Sequence, residues 1–137
     1  MKSPLCCEIV QGKGALALLA LRLVAGPAFI LHGWPKFQHA FNWMGDAVPG
    51  WLQALAAFAE FGGGIAILIG LLTQFAALGI ACVMFYAIFL VHIPKGDPFV
   101  GREGSWELAA VYFAIMIALM LRGAGQFSVD SLIKKKN

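Results

Sequence analysis

The chain has 137 residues, 61% of them hydrophobic and only 12% charged. A soluble domain carries about twice that charge, and a mean hydropathy of +0.81 leaves too little polar surface to cover a globule in water. A disordered chain, a nucleic-acid binder and an ordinary soluble enzyme are excluded together. At about 20 residues per bilayer crossing, the length allows one domain of four helices.

A polar leader, residues 1–13, comes first. It is not a cleavable signal, because a run of full spanning length follows it and no small-residue cleavage site ends that run. Four apolar segments follow, at about 14–33, 51–72, 73–93 and 105–121. Each is long enough to span, the fourth only just. Together they define a transmembrane domain over 14–122, with 123–137 as a basic tail. The expected fold class is all-α: an integral membrane four-helix bundle.

The connections support this. Segments two and three meet at Leu72-Thr73-Gln74 in a tight hairpin, whereas 34–50 and 94–104 are longer loops with Pro, Gly, Trp and both signs of charge. Four crossings place both termini on one side. That side holds Lys2, Lys13, Arg122 and Lys134 to Lys136, against Lys36, Lys95 and Arg102 on the other. An excess of cations marks the cytoplasmic face, so both termini are expected to be cytoplasmic. Trp34, Trp43, Trp51 and Trp106 then form an outer aromatic belt. A weak internal repeat suggests two helical hairpins in parallel orientation: His32-Gly33-Trp34-Pro35-Lys36 is echoed by His92-Ile93-Pro94-Lys95. Likewise Trp51, Ala54, Phe58 and Ala59 are echoed by Trp106, Ala109, Phe113 and Ala114.

Lipid tails are as apolar as leucine, so the helices need small residues for close packing. Ala59 and Gly63 give one small-xxx-small step. Gly62-Gly63-Gly64, beside Glu60, would let a backbone or a flat ligand approach the carboxylate. Pro27 is expected to kink the first helix.

Ionisable groups in hydrocarbon are costly and mark candidate sites. Arg22 lies eleven residues before Gly33, and Glu60 nine residues after Trp51. Taking Gly33 and Trp51 as the outer helix ends, the two depths differ by about 3 Å at about 1.5 Å per residue. The expectation is an Arg22–Glu60 pair near the midplane, either structural or lining a ligand cavity. A second cluster, His32, Lys36, His92, Trp106 and Glu107, lies near the outer boundary, where imidazoles could relay protons. No metal or haem site is expected, since Cys6, Cys7 and Cys82 lack ligand spacing and no CxxCH motif is present. No nucleophile triad or phosphate loop occurs.

These residues in this order resemble the DoxX family. The resemblance rests on Arg22, the His32-Gly33-x-x-Lys36 helix end, Glu60 with Gly63 and Gly64, and the Gly70-Leu71-x-Thr73 hairpin. It continues through Ala76, Ala77, His92 and Glu107 to the ending Gly123-x-Gly125-x-x-Ser128-x-Asp130. Gln126 replaces the basic residue that family members often have. The resemblance implies a multi-pass bacterial inner-membrane protein linked to quinone-dependent oxidoreductases. A quinone is then the expected ligand, and a partner redox protein supplies electrons, since this chain would not turn over alone. Glu60, His32 and His92 are the candidate proton-transfer residues. Arg22, Lys36, Glu60, Gly63, Gly64, Trp106 and Glu107 are the candidate ligand contacts. The competing expectation is a non-enzymatic scaffold or small-molecule carrier. A transporter would need a homo-oligomer to enclose a pathway.

Overall fold

In the computed structural model, residues 8–136 are described; Lys2, Cys6 and Cys7 lie outside them. The described chain is all-helical. Its helices are α1 (Gly12–Gln38), α2 (Gly50–Ile69), α3 (Thr73–Lys95), α4 (Glu107–Arg122) and a short α5 (Val129–Lys136). The first three are long and apolar enough to cross a membrane. α4 has 16 residues, about 24 Å at 1.5 Å per residue.

α1 is longer than expected. It continues through Pro27 and Pro35 to Gln38, five residues past the expected end at Gly33. α3 carries a π-helical stretch, Ala87–His92, before its last turn. Such insertions often sit at functional sites.

α1 packs along α2, α2 along α3, and α3 along α4. The shared core joins Leu18, Ala25 and Phe29 of α1 to Ile67 of α2, Ile80 and Met84 of α3, and Met116 and Leu119 of α4. Phe29 and Tyr112 meet edge to face with centroids 4.9 Å apart, tying α1 to α4.

The small residues take defined positions in this packing. A Cβ on Gly33 would lie 2.5 Å from the backbone nitrogen of Phe61, and one on Gly64 would lie 2.7 Å from that of Ile30. Gly26 presses equally closely on Leu68. Backbones therefore touch along the α1–α2 seam, as close packing in lipid requires. Ala59 and Gly63 face the other way, onto Gly79 and Ile80 of α3, so the anticipated small-xxx-small step does pack a helix. The same facts correct the reading of Gly63 and Gly64 as ligand contacts. The space above Gly64 is filled by α1 backbone and that above Gly63 by the Ile80 side chain, leaving no room for a flat ligand.

α2 ends in a Schellman motif, in which Leu71 N bonds Ala66 O and Gly70 N bonds Ile67 O. Gly70 adopts the left-handed φ of 72° that this motif needs. Leu72, also left-handed at φ 47°, completes the hairpin. Its amide and that of Thr73 donate to the two oxygens of Asp130, at 2.8 and 3.0 Å. Asp130 N in turn donates to Gly70 O. The segment after residue 122 is thus not a loose basic tail. Ser128 and Ser131 are buried, and Gln126 N donates to Val10 O at 3.0 Å. N- and C-terminal segments meet at the α2–α3 hairpin.

Asp130 accepts from the N-cap and first amides of α3 and places a negative charge at its positive end. Asp130→Ala is expected to cost about 1–2 kcal/mol, and Asp130→Asn less, read as a drop in thermal unfolding temperature in detergent.

Candidate functional site

The two buried charges do not pair with each other. Arg22 is 1% exposed and spends its donors on backbone carbonyls. Nε donates to Ile67 O at 2.8 Å and Nη2 to Leu68 O at 2.9 Å. Nη1 donates to Ala124 O at 3.0 Å and Phe127 O at 2.8 Å. Ile67 and Leu68 lie in the last turn of α2, where carbonyls run out of i+4 donors and the helix dipole is negative; Ile67 O also takes the 3.3 Å bond from Gly70 N. A guanidinium can serve four acceptors in one plane, which an ammonium cannot. Arg22 is therefore a tie between the α2 C-terminus and the segment leading into α5.

Glu60 lies elsewhere. Its side chain is 2% exposed, and both oxygens accept from Lys36 Nζ, at 2.8 and 2.7 Å. The expected Arg22–Glu60 pair fails because Gly33 and Trp51 are not level. Gly33 sits on Phe61 and Gly26 on Leu68, so the antiparallel register places Glu60 near Gly33 and Arg22 near Gly70. Eleven residues of α1 separate those levels, about 16 Å.

The Lys36–Glu60 pair has a built surrounding. Lys36 Nζ also lies 4.7 Å from the centre of the Trp43 ring, a cation–π distance. Phe37 and Phe61, next in sequence to Lys36 and Glu60, cluster with Trp34, their ring centroids 5.0–6.5 Å apart. Trp43 is held by a hydrogen bond from Nε1 to Gln53 O. The buried Gln53 side chain pins the loop, accepting from Met44 N and donating to Gly45 O and Val48 O. Gln53 was missed by sequence reasoning. Its signal was available, as the one amide side chain in the apolar start of α2.

The outer cluster separates into unrelated parts. His32 is exposed on α1. His92 Nδ1 lies 2.7 Å from Asp97 Oδ2, a partner five residues on that sequence reasoning also overlooked. Trp106 packs on Phe99 at 4.6 Å. Glu107 is exposed at the first turn of α4, where a carboxylate complements the helix dipole. Of the cluster, only Lys36 joins a buried carboxylate. The sequence echo between the two hairpins does not extend to chemistry either: Lys36 grips Glu60, whereas Lys95 is exposed.

Among the described residues no group of His, Cys, Asp or Glu could hold a metal ion, and Cys82 is a free, exposed thiol. The arrangement offers one buried carboxylate and one half-buried ammonium among aromatic rings. It can donate hydrogen bonds or a proton to a neutral or anionic oxygen.

Comparison with known proteins matches residues 17–93 to the DoxX family model. An uncharacterized protein of Haemophilus influenzae is 33% identical, over 87% of this chain and 92% of its own. The inner membrane protein YqjF of Escherichia coli is 32% identical, over 88% and 95%. An uncharacterized membrane protein of Mycobacterium tuberculosis is 26% identical, over 94% and 88%. No solved structure matches the chain. The region matched by the family model contains Arg22, Lys36, Glu60 and the α2–α3 hairpin. With its three apolar spans, this chain is a multi-pass inner-membrane protein, and it belongs to the DoxX family.

Proposed function

We propose that the chain is a quinone-interacting subunit of a membrane redox complex, with Lys36 and Glu60 as the contact for a quinone carbonyl. The observation that carries this reading is the pair itself: a carboxylate 2% exposed whose ammonium partner is 29% exposed. A buried charge in an apolar helix pair costs stability, and here the cationic half remains reachable. The residues fit the ligand. Lys36 can donate to a carbonyl oxygen while Glu60 holds the ammonium in place, and Trp34, Phe37 and Phe61 offer ring faces. A bound quinone supplies two-electron redox chemistry; the electrons come from a partner protein. His92, oriented by Asp97, is a further candidate proton relay, although no contact links it to the pair.

The same reading gives four crossings with both termini cytoplasmic. The Gln126–Val10 and Asp130–hairpin bonds gather both terminal segments at the end that carries most of the cations. Trp34, Trp43, Trp51 and Trp106 lie toward the opposite end, as an outer belt would. In this reading a leader over 1–13, a four-helix domain over 14–122 and a basic C-terminal segment over 123–137 make up the chain, although α1 already begins at Gly12.

Protein purified from native membranes is expected to carry extractable quinone. Lys36→Met and Glu60→Gln are each expected to reduce it about tenfold or more, the value of one lost charge-assisted hydrogen bond, with Lys36→Arg retaining most of it. Wild-type protein without quinone, or variants that keep it, would sink the proposal. The scaffold reading draws on a different fact, that both buried charges are satisfied within the chain. It predicts that single charge changes at Lys36 or Glu60 unfold the protein while the swapped pair restores it, with no ligand lost.

A further inference from the structure

A cavity of about 240 Å³ lies at the terminal end of the molecule, remote from Lys36 and Glu60. The α2–α3 hairpin, the end of α4, and α5 form its walls. Arg122, in the last turn of α4, and Lys134, on α5, both line it. Phe75 and Ile133 line it too, and both are exposed. We propose that this cavity binds the phosphate headgroup of an anionic glycerophospholipid, whose acyl chains lie along the exposed face of α3.

Three features support this occupant. The first is charge at the right level. Two cations flank a cavity where α4 ends and the termini gather, and Lys135 and Lys136 extend the basic surface next to it. Basic pockets between membrane helices at the interface recognise lipid phosphates. The lining also contains Glu8 and Asp130. Both Asp130 oxygens accept from Leu72 N and Thr73 N and Glu8 lies exposed, but both keep their charge, so the basic balance at this end comes from Arg122, Lys134, Lys135 and Lys136, four cations against two carboxylates.

The second feature is continuity with a lipid-facing surface. Phe75, Leu78, Cys82, Phe85 and Phe89 are all exposed and recur at three- and four-residue intervals. They form one apolar stripe along α3 that begins at the cavity. A soluble anion would use the cations but not the stripe; a phospholipid uses both.

The third is rigidity. Asp130, Ser128 and Ser131 clamp the start of α5 through bonds to the hairpin and to the segment before it. Arg22 holds the same segment from behind. The cavity walls are fixed before a ligand arrives, which lowers the ordering cost of binding. Thr73, whose buried hydroxyl has no protein partner among the described residues, belongs to the same wall.

The test is lipid retention by native mass spectrometry of the full chain in detergent, titrated with phosphatidylglycerol, phosphatidylcholine or free glycerol phosphate. Phosphatidylglycerol is expected to be retained over phosphatidylcholine. The double variant Arg122→Ala, Lys134→Ala is expected to lose on the order of tenfold or more of that preference. Arg122→Lys with Lys134→Arg should keep it, as should Lys95→Ala with Arg102→Ala at the opposite end. Unfolding temperatures of the variants separate lost binding from lost folding. Equal retention of phosphatidylcholine, unchanged retention by a folded double alanine variant, or competition by glycerol phosphate at the lipid's own concentration would overturn the proposal.

Discussion

Arg22→Ala is expected to be the most damaging single substitution in the chain. It removes one guanidinium and its hydrogen bonds to four carbonyls, of Ile67, Leu68, Ala124 and Phe127, of which Ile67 O keeps a 3.3 Å bond from Gly70 N. A hydrogen bond to a charged group contributes about 1.5–3 kcal/mol, and an abandoned buried acceptor costs about 1–3 kcal/mol. These terms overlap, so the expected loss is about 3–5 kcal/mol rather than their sum. The vacated volume adds to it. The measurement is thermal or denaturant unfolding in detergent, followed by helical circular dichroism. Arg22→Lys should recover only part of the loss, because one ammonium cannot serve carbonyls on two segments in a planar fork. The substitution also separates two roles. If Arg22 bound the ligand directly, Arg22→Lys would fold normally and lose only binding. A tie between helix end and C-terminal segment predicts instead that stability falls first and that protease cleavage near Gly123 to Asp130 increases.

The second large effect is expected within three consecutive glycines. Gly62, Gly63 and Gly64 look equivalent in sequence, yet an alanine at each meets a different neighbour. At Gly62 the new Cβ would touch only the Phe58 ring at 3.6 Å, an ordinary contact. Gly62→Ala should therefore be neutral or stabilise α2 by up to about 1 kcal/mol through helix propensity. At Gly63 it would meet the end of the Ile80 side chain at 3.1 Å, which can shift, for a cost of about 1 kcal/mol. At Gly64 it would lie 2.7 Å from Ile30 N and 3.0 Å from Gly26 O. Those are backbone atoms of a continuous helix and cannot yield without parting α1 from α2. Gly64→Ala is expected to cost about 3 kcal/mol or more, and Gly64→Leu to abolish monodisperse protein on gel filtration. Because Lys36 and Glu60 sit across this seam, Gly64→Ala should also weaken their pairing. Equal tolerance at all three positions would show that the seam is looser than the backbone contacts describe.

The same glycines illustrate how far a sequence reading reaches. Small residues beside a buried carboxylate signal that something approaches closely. They do not say whether it is a ligand or a neighbouring helix. That depends on which helix face each glycine occupies and on what packs there. For Gly64 the answer is α1 backbone.

The amino-acid sequence by itself determined the class of molecule. Scarce charge and four apolar runs require a helical membrane protein, since only helices satisfy their backbone within one lipid-exposed segment. It also singled out the chemically expensive residues, Arg22 and Glu60, because hydrocarbon tolerates few charges. It marked the tight turn at Leu72-Thr73 and the ordered Gly, Ser and Asp positions of the C-terminal segment. Their partners were set only by tertiary structure. Depth counted from assumed helix ends placed Arg22 and Glu60 together. The real register is fixed by Gly33 against Phe61 and Gly26 against Leu68, and it separates them by about eleven residues of helix. That register reflects which small residues let two backbones touch, a property of both helices jointly. Arg22 then falls beside the open carbonyls of α2, and Glu60 falls beside Lys36, beyond the point where α1 was expected to stop. The fold follows from hydropathy along one chain. The site follows from the alignment of two helices, which no single helix encodes.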